Sequence, residues 1–247
     1  MTTVPVELHK KDLIVSEVFG PTFQGEGPSC GRRAGFIRLG LCNLNCSWCD
    51  TPYTWDWRGE NGEPQDRDAL VHRTVDDLVA EVLDMDVDRV VLSGGEPLVQ
   101  KARLGGLAQA LVGCGIAVEV ETNGTQMPTD ELLAAVGQWN VSPKLPHSGV
   151  PQSAAWRPDV LGRLLARGRQ VDLKVVCQSA EDVALVARLV SDLDLNVAPS
   201  QVWIMPEGID AGVIQEHTVA ITNAVLAHGY NLTTRLHVLV WGNKRGV

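Results

Sequence analysis

The chain has 247 residues, of which 45% are hydrophobic, and its formal net charge at pH 7 is −9. The negative charge argues against general binding to nucleic acid, because neutralising phosphates requires a basic surface, and no apolar run approaches the length of a membrane span. We therefore expect no nucleic-acid or membrane partner, and a single domain over residues 1–247. The first residues lack the apolar core of a secretion signal, which favours a cytoplasmic location.

Short runs of apolar and β-branched residues recur along the chain and predict the strands of a sheet. In chain order they cover residues 13–18, 36–39, 89–92, 116–120, a shorter run at 139–141, then 171–176, 202–205 and 236–241. The run at 236–241 is expected to be the last strand of the sheet. The six residues after it could then fold back over the mouth of a pocket.

Segments with a helical spacing of apolar residues lie between these strands. They cover residues 74–83, 103–112, 130–136, 159–166, 180–193 and 213–228. In the first of them Val75, Leu78, Val79 and Val82 share one face, and Thr74 can cap the helix. Strands that alternate with helices predict an α/β fold with a mainly parallel sheet and helices outside it. This order favours a closed or partly open barrel over a flat sheet.

Polar and glycine-rich turns follow several of the predicted strands. They are Ser-Gly-Gly-Glu-Pro at 93–97, Glu-Thr-Asn-Gly at 121–124, Ser-Pro-Lys at 142–144 and Met-Pro-Glu-Gly at 205–208. Loops are often polar and rich in glycine, which explains any one of these turns. It explains less well a Glu, an Asn and a Lys at three successive strand ends. Because the carboxyl ends of the strands carry the active site in β/α barrels, we expect the site there.

Cys42, Cys46 and Cys49 are the most informative residues of the chain. Gaps this short let three thiolates converge on one centre. A cubic [4Fe–4S] cluster usually has four thiolate ligands, so three would leave one iron open to a substrate or cofactor. The spacing is typical of the radical S-adenosylmethionine (SAM) enzymes. In these, SAM binds the open iron and is cleaved reductively to a 5′-deoxyadenosyl radical.

Zinc and disulfides are competing uses of these cysteines. A structural zinc site needs four closed ligands, and the fourth would have to come from Cys30, Cys114, Cys177 or a histidine. A disulfide framework is less favoured, because proteins that are not secreted mostly keep their thiols reduced. Cys30 is an alternative cluster ligand. Cys114 and Cys177 lie in apolar stretches and are expected to be buried.

Several further motifs resemble those of one enzyme family. They are Gln-Gly-Glu-Gly at 24–27, Phe-Ile-Arg-Leu at 36–39, Trp-Cys-Asp-Thr at 48–51, Gly-Gly-Glu-Pro at 94–97 and the block at 235–247. Together with the cysteines they resemble the 7-carboxy-7-deazaguanine synthases, radical SAM enzymes of the 7-deazapurine (queuosine) pathway. The resemblance runs nearly end to end. Residues 56–73 and 147–158 match no motif, and no role is carried onto them.

The resemblance implies a fold, a reaction and a set of cofactors. The fold would be a partial, trimmed TIM-like β/α barrel of the radical SAM type. The substrate would be 6-carboxy-5,6,7,8-tetrahydropterin, and the product would be 7-carboxy-7-deazaguanine, formed with loss of ammonia. The enzyme would need a [4Fe–4S] cluster, SAM and Mg²⁺. It would take electrons from a donor such as a flavodoxin or ferredoxin, and it would be a homodimer.

The resemblance also implies roles for individual residues. Cys42, Cys46 and Cys49 would ligate the cluster, and the Thr51 hydroxyl would bind Mg²⁺. The residues expected along SAM are Trp48, Asp50, Gly94, Gly95, Glu96, Glu121, Asn123, Ser142, Pro143 and Lys144. The residues expected at the substrate are Phe23, Gln24, Gly25, Arg38, Ser93 and Val247. Arg38 would pair with the substrate carboxylate, and the carboxylate of Val247 with the N–H edge of the pterin.

Plainer roles exist for some of these residues, and two other functions are compatible with the cysteines. Arg38 could pair with a structural carboxylate, Glu26 could cap a turn, and His237 could be an ordinary strand histidine. A glycyl-radical activating enzyme shares the three-cysteine loop and the Gly-Gly-Glu turn, but acts on a partner protein. A zinc-stabilised binding module would have no activity at all. Turnover of a pterin without a partner protein would exclude an activating enzyme. The metal content would show whether the protein is a zinc-stabilised module.

Overall fold

One sheet of nine strands organises residues 12–247, the part of the chain that the computed structural model describes. The strands are β1 (Leu13–Phe23), β2 (Arg33–Leu39), β3 (Val71–Arg73), β4 (Arg89–Gly94), β5 (Ala117–Thr122), β6 (Gln138–Val141), β7 (Val171–Cys177), β8 (Val202–Pro206) and β9 (Asn231–Leu232). Their order across the sheet is β3-β1-β2-β4-β5-β6-β7-β8-β9. The expectation that no secretion signal is present concerns residues 1–11, which lie outside the described residues.

The sheet is antiparallel at one end and parallel elsewhere. β1 runs antiparallel to both β2 and β3, whereas every neighbouring pair from β2 to β9 is parallel. Within residues 12–247 the sheet is not closed, because β3 and β9 lie at its two edges. The prediction of a partial β/α barrel is confirmed.

Eight α-helices accompany the strands in the described part of the chain. They are α1 (Val75–Asp84), α2 (Lys101–Gly113), α3 (Asp130–Ala135), α4 (Gln152–Ala155), α5 (Pro158–Arg167), α6 (Ala180–Asp192), α7 (Ala211–Ala227) and α8 (Leu236–Trp241). The predicted cap of α1 is present, since the Thr74 side chain accepts a hydrogen bond from the Asp77 amide. Ser179 caps α6 in the same way, which satisfies amides that have no partner within the helix.

The two faces of the parallel strands differ in chemistry. In β5, Val118 and Val120 join the apolar core, and the alternate residues Glu119 and Glu121 make polar contacts with Gln24. Side chains alternate between the faces of a strand. One face of the sheet therefore packs against the helices through apolar side chains, and the other presents buried polar groups to the inside of the partial barrel.

The prediction of a last strand at residues 236–241 is wrong, because this segment forms helix α8. A short apolar run cannot be assigned to strand or helix by periodicity alone. Val238 is buried whereas Leu239 and Val240 are exposed, so only one side of this short helix is covered. The last strand of the sheet is the two-residue β9, and β3 was not predicted.

Two cysteine expectations have different outcomes. Cys177 is fully buried at the end of β7, as predicted, whereas Cys114 is exposed. Cys114 directly follows α2 at a helix terminus on the surface, where apolar neighbours in sequence do not ensure burial. None of the helices described for residues 12–247 is long and apolar enough to cross a membrane.

Candidate active site

A cavity of about 630 Å³ lies at the carboxyl ends of the parallel strands. Its wall includes Ser93 and Gly94 at the end of β4, Glu121 at the end of β5, Lys174 in β7 and Met205 in β8. The volume is within the range of cavities that hold small molecules and cofactors. The active site is thus placed where the polar strand-end turns predicted it.

The three-cysteine loop, residues 42–49, begins at a strained residue. Leu41 has φ of 74°, a left-handed conformation that residues with a side chain rarely adopt. Its amide donates to Thr54 at 2.8 Å, and its carbonyl accepts from the amide of Glu96 at 2.9 Å. The neighbouring backbone thus fixes the conformation, as is common at functional sites. Cys49 closes the loop by donating its amide to the Cys46 carbonyl at 3.2 Å.

Side chains from elsewhere hold this loop in place. The Trp48 indole N–H donates to Nδ1 of His147 at 3.0 Å, and the two rings stack with centroids 5.7 Å apart. Asn61 donates to the Cys46 carbonyl at 2.7 Å. His147 and Asn61 belong to the two segments that matched no sequence motif. These residues lie 99 and 15 positions from their partners, so no local sequence pattern could have found them.

The three thiols fit a cluster that is open at one iron. Cys42, Cys46 and Cys49 are free and all line the cavity. The Trp55 indole N–H donates to Sγ of Cys49 at 3.3 Å, and hydrogen bonds to sulfur are one way in which proteins tune such clusters. Burial raises the pKa of the Cys42 thiol to about 12 and also raises the pKa of Cys46, so both thiols favour their protons until a metal takes their place.

The three cysteines that could supply the fourth ligand of a zinc site, Cys30, Cys114 and Cys177, do not line the cavity that Cys42, Cys46 and Cys49 line. Cys30, the alternative cluster ligand, lies off the cavity wall and donates its thiol to the Gly25 carbonyl at 3.3 Å.

The wall expected to face SAM includes two glycines and the side chains of Ser142, Lys144 and Trp48. A Cβ atom at Gly94 or Gly95 would clash with the carbonyl oxygens of Leu39 and Leu41, so these glycines allow β4 to approach the cysteine loop. Nearby, Lys144 donates to Ser142 at 2.9 Å and lies 5.6 Å from the Trp48 ring.

Two of the residues predicted along SAM, Glu96 and Pro143, do not line the cavity. Glu96 is fully buried, and its carboxylate accepts hydrogen bonds from the Leu98 amide, the Thr122 hydroxyl and the Asn123 amide at 2.6–2.9 Å. Burial raises the pKa of this carboxyl. In this arrangement Glu96 supports the turn that carries Asn123. Every other predicted cofactor or metal residue lies on the cavity wall.

A buried charge network forms the floor of the cavity. Lys174 donates to Glu26 at 2.5 Å and to Glu121 at 2.6 Å, and Gln24 donates to Glu121 at 3.1 Å. Burial would lower the pKa of Lys174, but the two carboxylates outweigh it and raise that pKa. Burial likewise opposes ionisation of Glu26, yet Lys174 and Arg235 hold its pKa well below its usual range.

Arg235 joins the cysteine loop to this network. It pairs with Asp50, the residue after the last cysteine, and with Glu26 at 3.1 Å, and it donates to the Gly208 carbonyl at 2.6 Å. Burial would raise the pKa of Asp50, but Arg235 outweighs it and the pKa is lowered. Arg235 lies in the motif block near the end of the chain, which was its only sequence signal. Lys174 could have been suspected as a lone cation in an apolar strand.

The predicted substrate residues gather at the other side of the cavity. Phe23, Gln24, Gly25, Arg38, Ser93 and Val247 all line it. In this structure Arg38 pairs with Glu17 at 2.5 Å, which is the plainer role considered for it. His237 lies in α8 and not in a strand, and its Nε2 atom is 3.9 Å from Glu26. Burial lowers the pKa of His237.

Comparison with known proteins agrees with this geometry. Residues 37–143 match the Radical SAM superfamily. The 7-carboxy-7-deazaguanine synthase of Pyrobaculum aerophilum is 37% identical over 94% of this chain and 96% of its own length. The chain belongs to the 7-carboxy-7-deazaguanine synthase family. The synthase of Hyperthermus butylicus is 36% identical over 92% of both chains, and that of Bacillus subtilis is 29% identical over 96% of this chain and 99% of its own.

The fold of a solved structure agrees with this membership. The crystal structure of QueE from Escherichia coli superposes with a TM-score of 0.68 at 25% identity, over 92% of this chain and 95% of that one. As a member of this synthase family, the protein is a radical SAM enzyme and a lyase, with the iron–sulfur cluster and SAM that the superfamily requires.

Proposed function

We propose that this enzyme converts 6-carboxy-5,6,7,8-tetrahydropterin to 7-carboxy-7-deazaguanine with loss of ammonia. One observation carries the proposal. In a chain of the synthase family, three free thiols and the predicted substrate residues, Arg38 among them, line the same cavity of about 630 Å³. A cluster site and a carboxylate-binding cation in one cavity suit a small acidic substrate that reacts next to SAM.

The cofactors would occupy the thiol side of the cavity. A [4Fe–4S] cluster with SAM on its open iron supplies a 5′-deoxyadenosyl radical, the chemistry for which this enzyme class is built. Cys42, Cys46 and Cys49 would hold the cluster, with Trp55 donating to the sulfur of Cys49. Gly94 and Gly95 give the backbone close access, and Ser142 and Lys144 offer polar groups to the SAM carboxylate and ribose.

The substrate would bind on the opposite side. Arg38 offers a planar guanidinium, which pairs with a carboxylate through two hydrogen bonds. Gln24 is oriented by Glu119 and Glu121, which accept from its amide nitrogen at 2.6 and 3.1 Å. It is therefore fixed before the pterin arrives, and the ordering of this side chain costs little on binding.

Mg²⁺ would bind between these two sides. The Thr51 hydroxyl lies on the cavity wall, 3.7 Å from Sγ of Cys49. A single protein oxygen is a sparse ligand set, but Mg²⁺ commonly keeps several waters and takes further oxygens from the substrate. Thr51 would thus position the ion next to the substrate and the cluster.

The remaining parts of the proposal concern partners and location. We propose that residues 1–247 act as one radical SAM domain, that a flavodoxin or ferredoxin donates the electron, and that the enzyme is a homodimer. We also propose a cytoplasmic location, which the free state of all six cysteines supports, since reducing compartments keep thiols unpaired.

The test is anaerobic turnover by the reconstituted enzyme with SAM, Mg²⁺, a chemical reductant and the carboxytetrahydropterin, followed by mass spectrometry. We expect 7-carboxy-7-deazaguanine to form without any partner protein, which also separates this enzyme from a glycyl-radical activating enzyme. Omitting SAM is the matched control. An enzyme with full iron content that cleaves SAM but leaves the pterin unchanged would refute the proposed substrate.

A further inference from the structure

Glu17 lies where three segments of the cavity wall meet. Its Oε1 atom accepts from Nε of Arg38 at 2.5 Å and from the Tyr53 hydroxyl at 3.3 Å. Its Oε2 atom accepts from Nε of Arg245 at 2.8 Å. The carboxylate thus contacts β2, the turn after the cysteine loop, and the segment 243–247, which we call the tail.

An irregularity in β1 aims Glu17 at this point. Val15 pairs with Leu39 and Glu17 pairs with Arg38, so two steps along β1 match one step along β2. Such a β-bulge places one extra residue in a strand and re-aims the side chains beside it. A regular register would turn either Val15 or Glu17 away from the face that it now occupies.

Apart from the contact with Glu17, the tail makes few polar contacts. Arg245 stacks on Tyr53, with its guanidinium carbon 4.0 Å from the ring centroid, and it donates weakly to Ser16 at 3.3–3.5 Å. About half of the Arg245 side chain is exposed, whereas Glu17 is largely buried. The whole tail, Asn243–Val247, nevertheless lines the cavity.

We propose that Glu17 is a positioning residue that orients Arg38 toward the substrate carboxylate and holds the tail over the substrate through Arg245. The inference rests on the proposed function for the part that concerns the substrate. Glu17 occupies Nε of Arg38, and within residues 12–247 no side chain or backbone oxygen accepts from the two terminal nitrogens. These two nitrogens are therefore available to donate hydrogen bonds to the carboxylate of the substrate.

The charge balance supports this arrangement. One carboxylate, Glu17, contacts two guanidinium groups, so the cluster keeps a positive charge that a substrate carboxylate can neutralise. A glutamine at position 17 would keep the size of the side chain and one acceptor oxygen. It would lose the charge that holds both cations, and with it the pre-organisation of the two substrate contacts.

The first test follows the tail without requiring turnover. Trypsin cleaves after Lys244 and Arg245, and intact mass reports the loss of the last residues from the reconstituted holoenzyme. We expect Glu17→Gln to release them about tenfold faster, because cleavage tracks the population in which the tail is open. Arg245→Lys keeps the cleavage sites but loses the planar fork, so it should also be faster.

A matched control removes an ion pair of the same kind away from the cavity. Glu81 pairs with Arg73 at 2.6 Å, and Glu81→Gln should release the tail at the wild-type rate. Equal rates for wild type and Glu17→Gln would overturn the inference. So would an equal acceleration by Glu81→Gln, because the effect would then be a general loss of stability.

The second test separates positioning from a structural role. We expect Glu17→Gln to raise KM for the carboxytetrahydropterin by about tenfold, with kcat and iron content much less changed, since uniform binding is lost. The loss should be smaller for a pterin that lacks the carboxylate. Arg245→Lys should cost little more in the Glu17→Gln background, because the two act as a unit.

The two failures can be told apart. A fall in kcat at constant KM, or additive effects of the two substitutions, would overturn the inference while leaving the proposed reaction intact. A wild-type enzyme that does not convert the pterin would refute the reaction, and the tryptic result would still report whether Glu17 holds the tail.

Discussion

Lys174 shows how much a single residue does in this site. It is almost fully buried in β7 and is the only lysine or arginine within hydrogen-bond distance of both Glu26 and Glu121 among the described residues. Removing one member of a buried charged cluster leaves the others uncompensated. Its neighbours Leu173 and Val175 join the apolar core, whereas Lys174 lies on the opposite face of β7 and lines the cavity, which indicates a role there.

We predict that Lys174→Met lowers the free energy of unfolding by about 3–5 kcal/mol near neutral pH, because the buried Glu121 loses its cation and Glu26 keeps only Arg235. The measurement is urea denaturation followed by circular dichroism. Lys101, at the start of α2 and away from the cavity, provides the control Lys101→Met, which should change the stability far less.

The difference in unfolding free energy between wild type and Lys174→Met should depend on pH in a definite direction. The pKa of Glu26 is lowered from its ordinary 4.5, so its contribution is present above pH 4.5 and is lost as the pH falls below it. The pKa of Lys174 is raised from 10.5, so its contribution is present below that pH. The gap in unfolding free energy between wild type and Lys174→Met should therefore shrink as the pH falls below 4.5, which is measured by comparing pH 7 with about pH 3. A gap that is the same at both values would contradict the pairing.

Arg38 is a second residue whose geometry makes a chemical prediction. Arg38→Lys keeps the charge but not the planar fork, so it should weaken binding of the carboxytetrahydropterin by roughly tenfold or more. Binding of a pterin without the carboxylate should weaken much less, which is measured by comparing KM for both compounds. If KM rises equally for both compounds, Arg38 does not bind the carboxylate.

At the level of elements, the cysteine loop depends on contacts that its own sequence does not contain. The strained Leu41, the Trp48–His147 contact and the Asn61 contact hold it from three sides. Gly94 and Gly95 allow β4 to come close enough to support it. The loop is therefore placed by its neighbours, while its cysteines decide what it binds.

Cys46→Ala should lower the iron content per chain and abolish turnover, because two thiolates hold a cubane poorly. Iron analysis and the visible absorption of anaerobically reconstituted protein measure the first effect. Cys177→Ala is the matched control, since that thiol is buried at the end of β7 and does not line the cavity. A Cys46→Ala enzyme with full iron content and normal turnover would disprove the cluster assignment.

Thr51→Ala should weaken the response of turnover to Mg²⁺ without loss of iron, because the hydroxyl supplies an oxygen that alanine lacks. Activity as a function of Mg²⁺ concentration measures it. Thr54→Ala is not a suitable control, because the Thr54 hydroxyl holds the Thr51 carbonyl at 2.8 Å. Thr222→Ala, in α7, changes a hydroxyl far from the cavity and should leave the response as it is.

Across the whole molecule, sequence patterns predicted what is local. The cysteines, the glycine-rich turns and the alternation of strands and helices are encoded within short windows, and the structure brings nearly all of those site residues to one cavity. The contacts of Glu17, Lys174 and Arg235 were not predicted, because each of these residues meets its partners only after the sheet has formed. The six-residue run that became α8 had too few positions to separate a period of 2 from one of 3.6.

Three acidic residues near the start of the chain pair with cations that come much later in the sequence, and this has a consequence for folding during translation. Glu17, Glu26 and Asp50 leave the ribosome long before Arg245, Lys174 and Arg235, which follow them by 228, 148 and 185 residues. Domains begin to fold while translation continues. A nascent chain that ends near residue 150 already contains all three cysteines, but Glu26 and Asp50 still lack their cations. Loading of the cluster at that stage would therefore meet a loop that Arg235 does not yet join to the charge network, and this part of the cavity forms only after Arg235 has been translated.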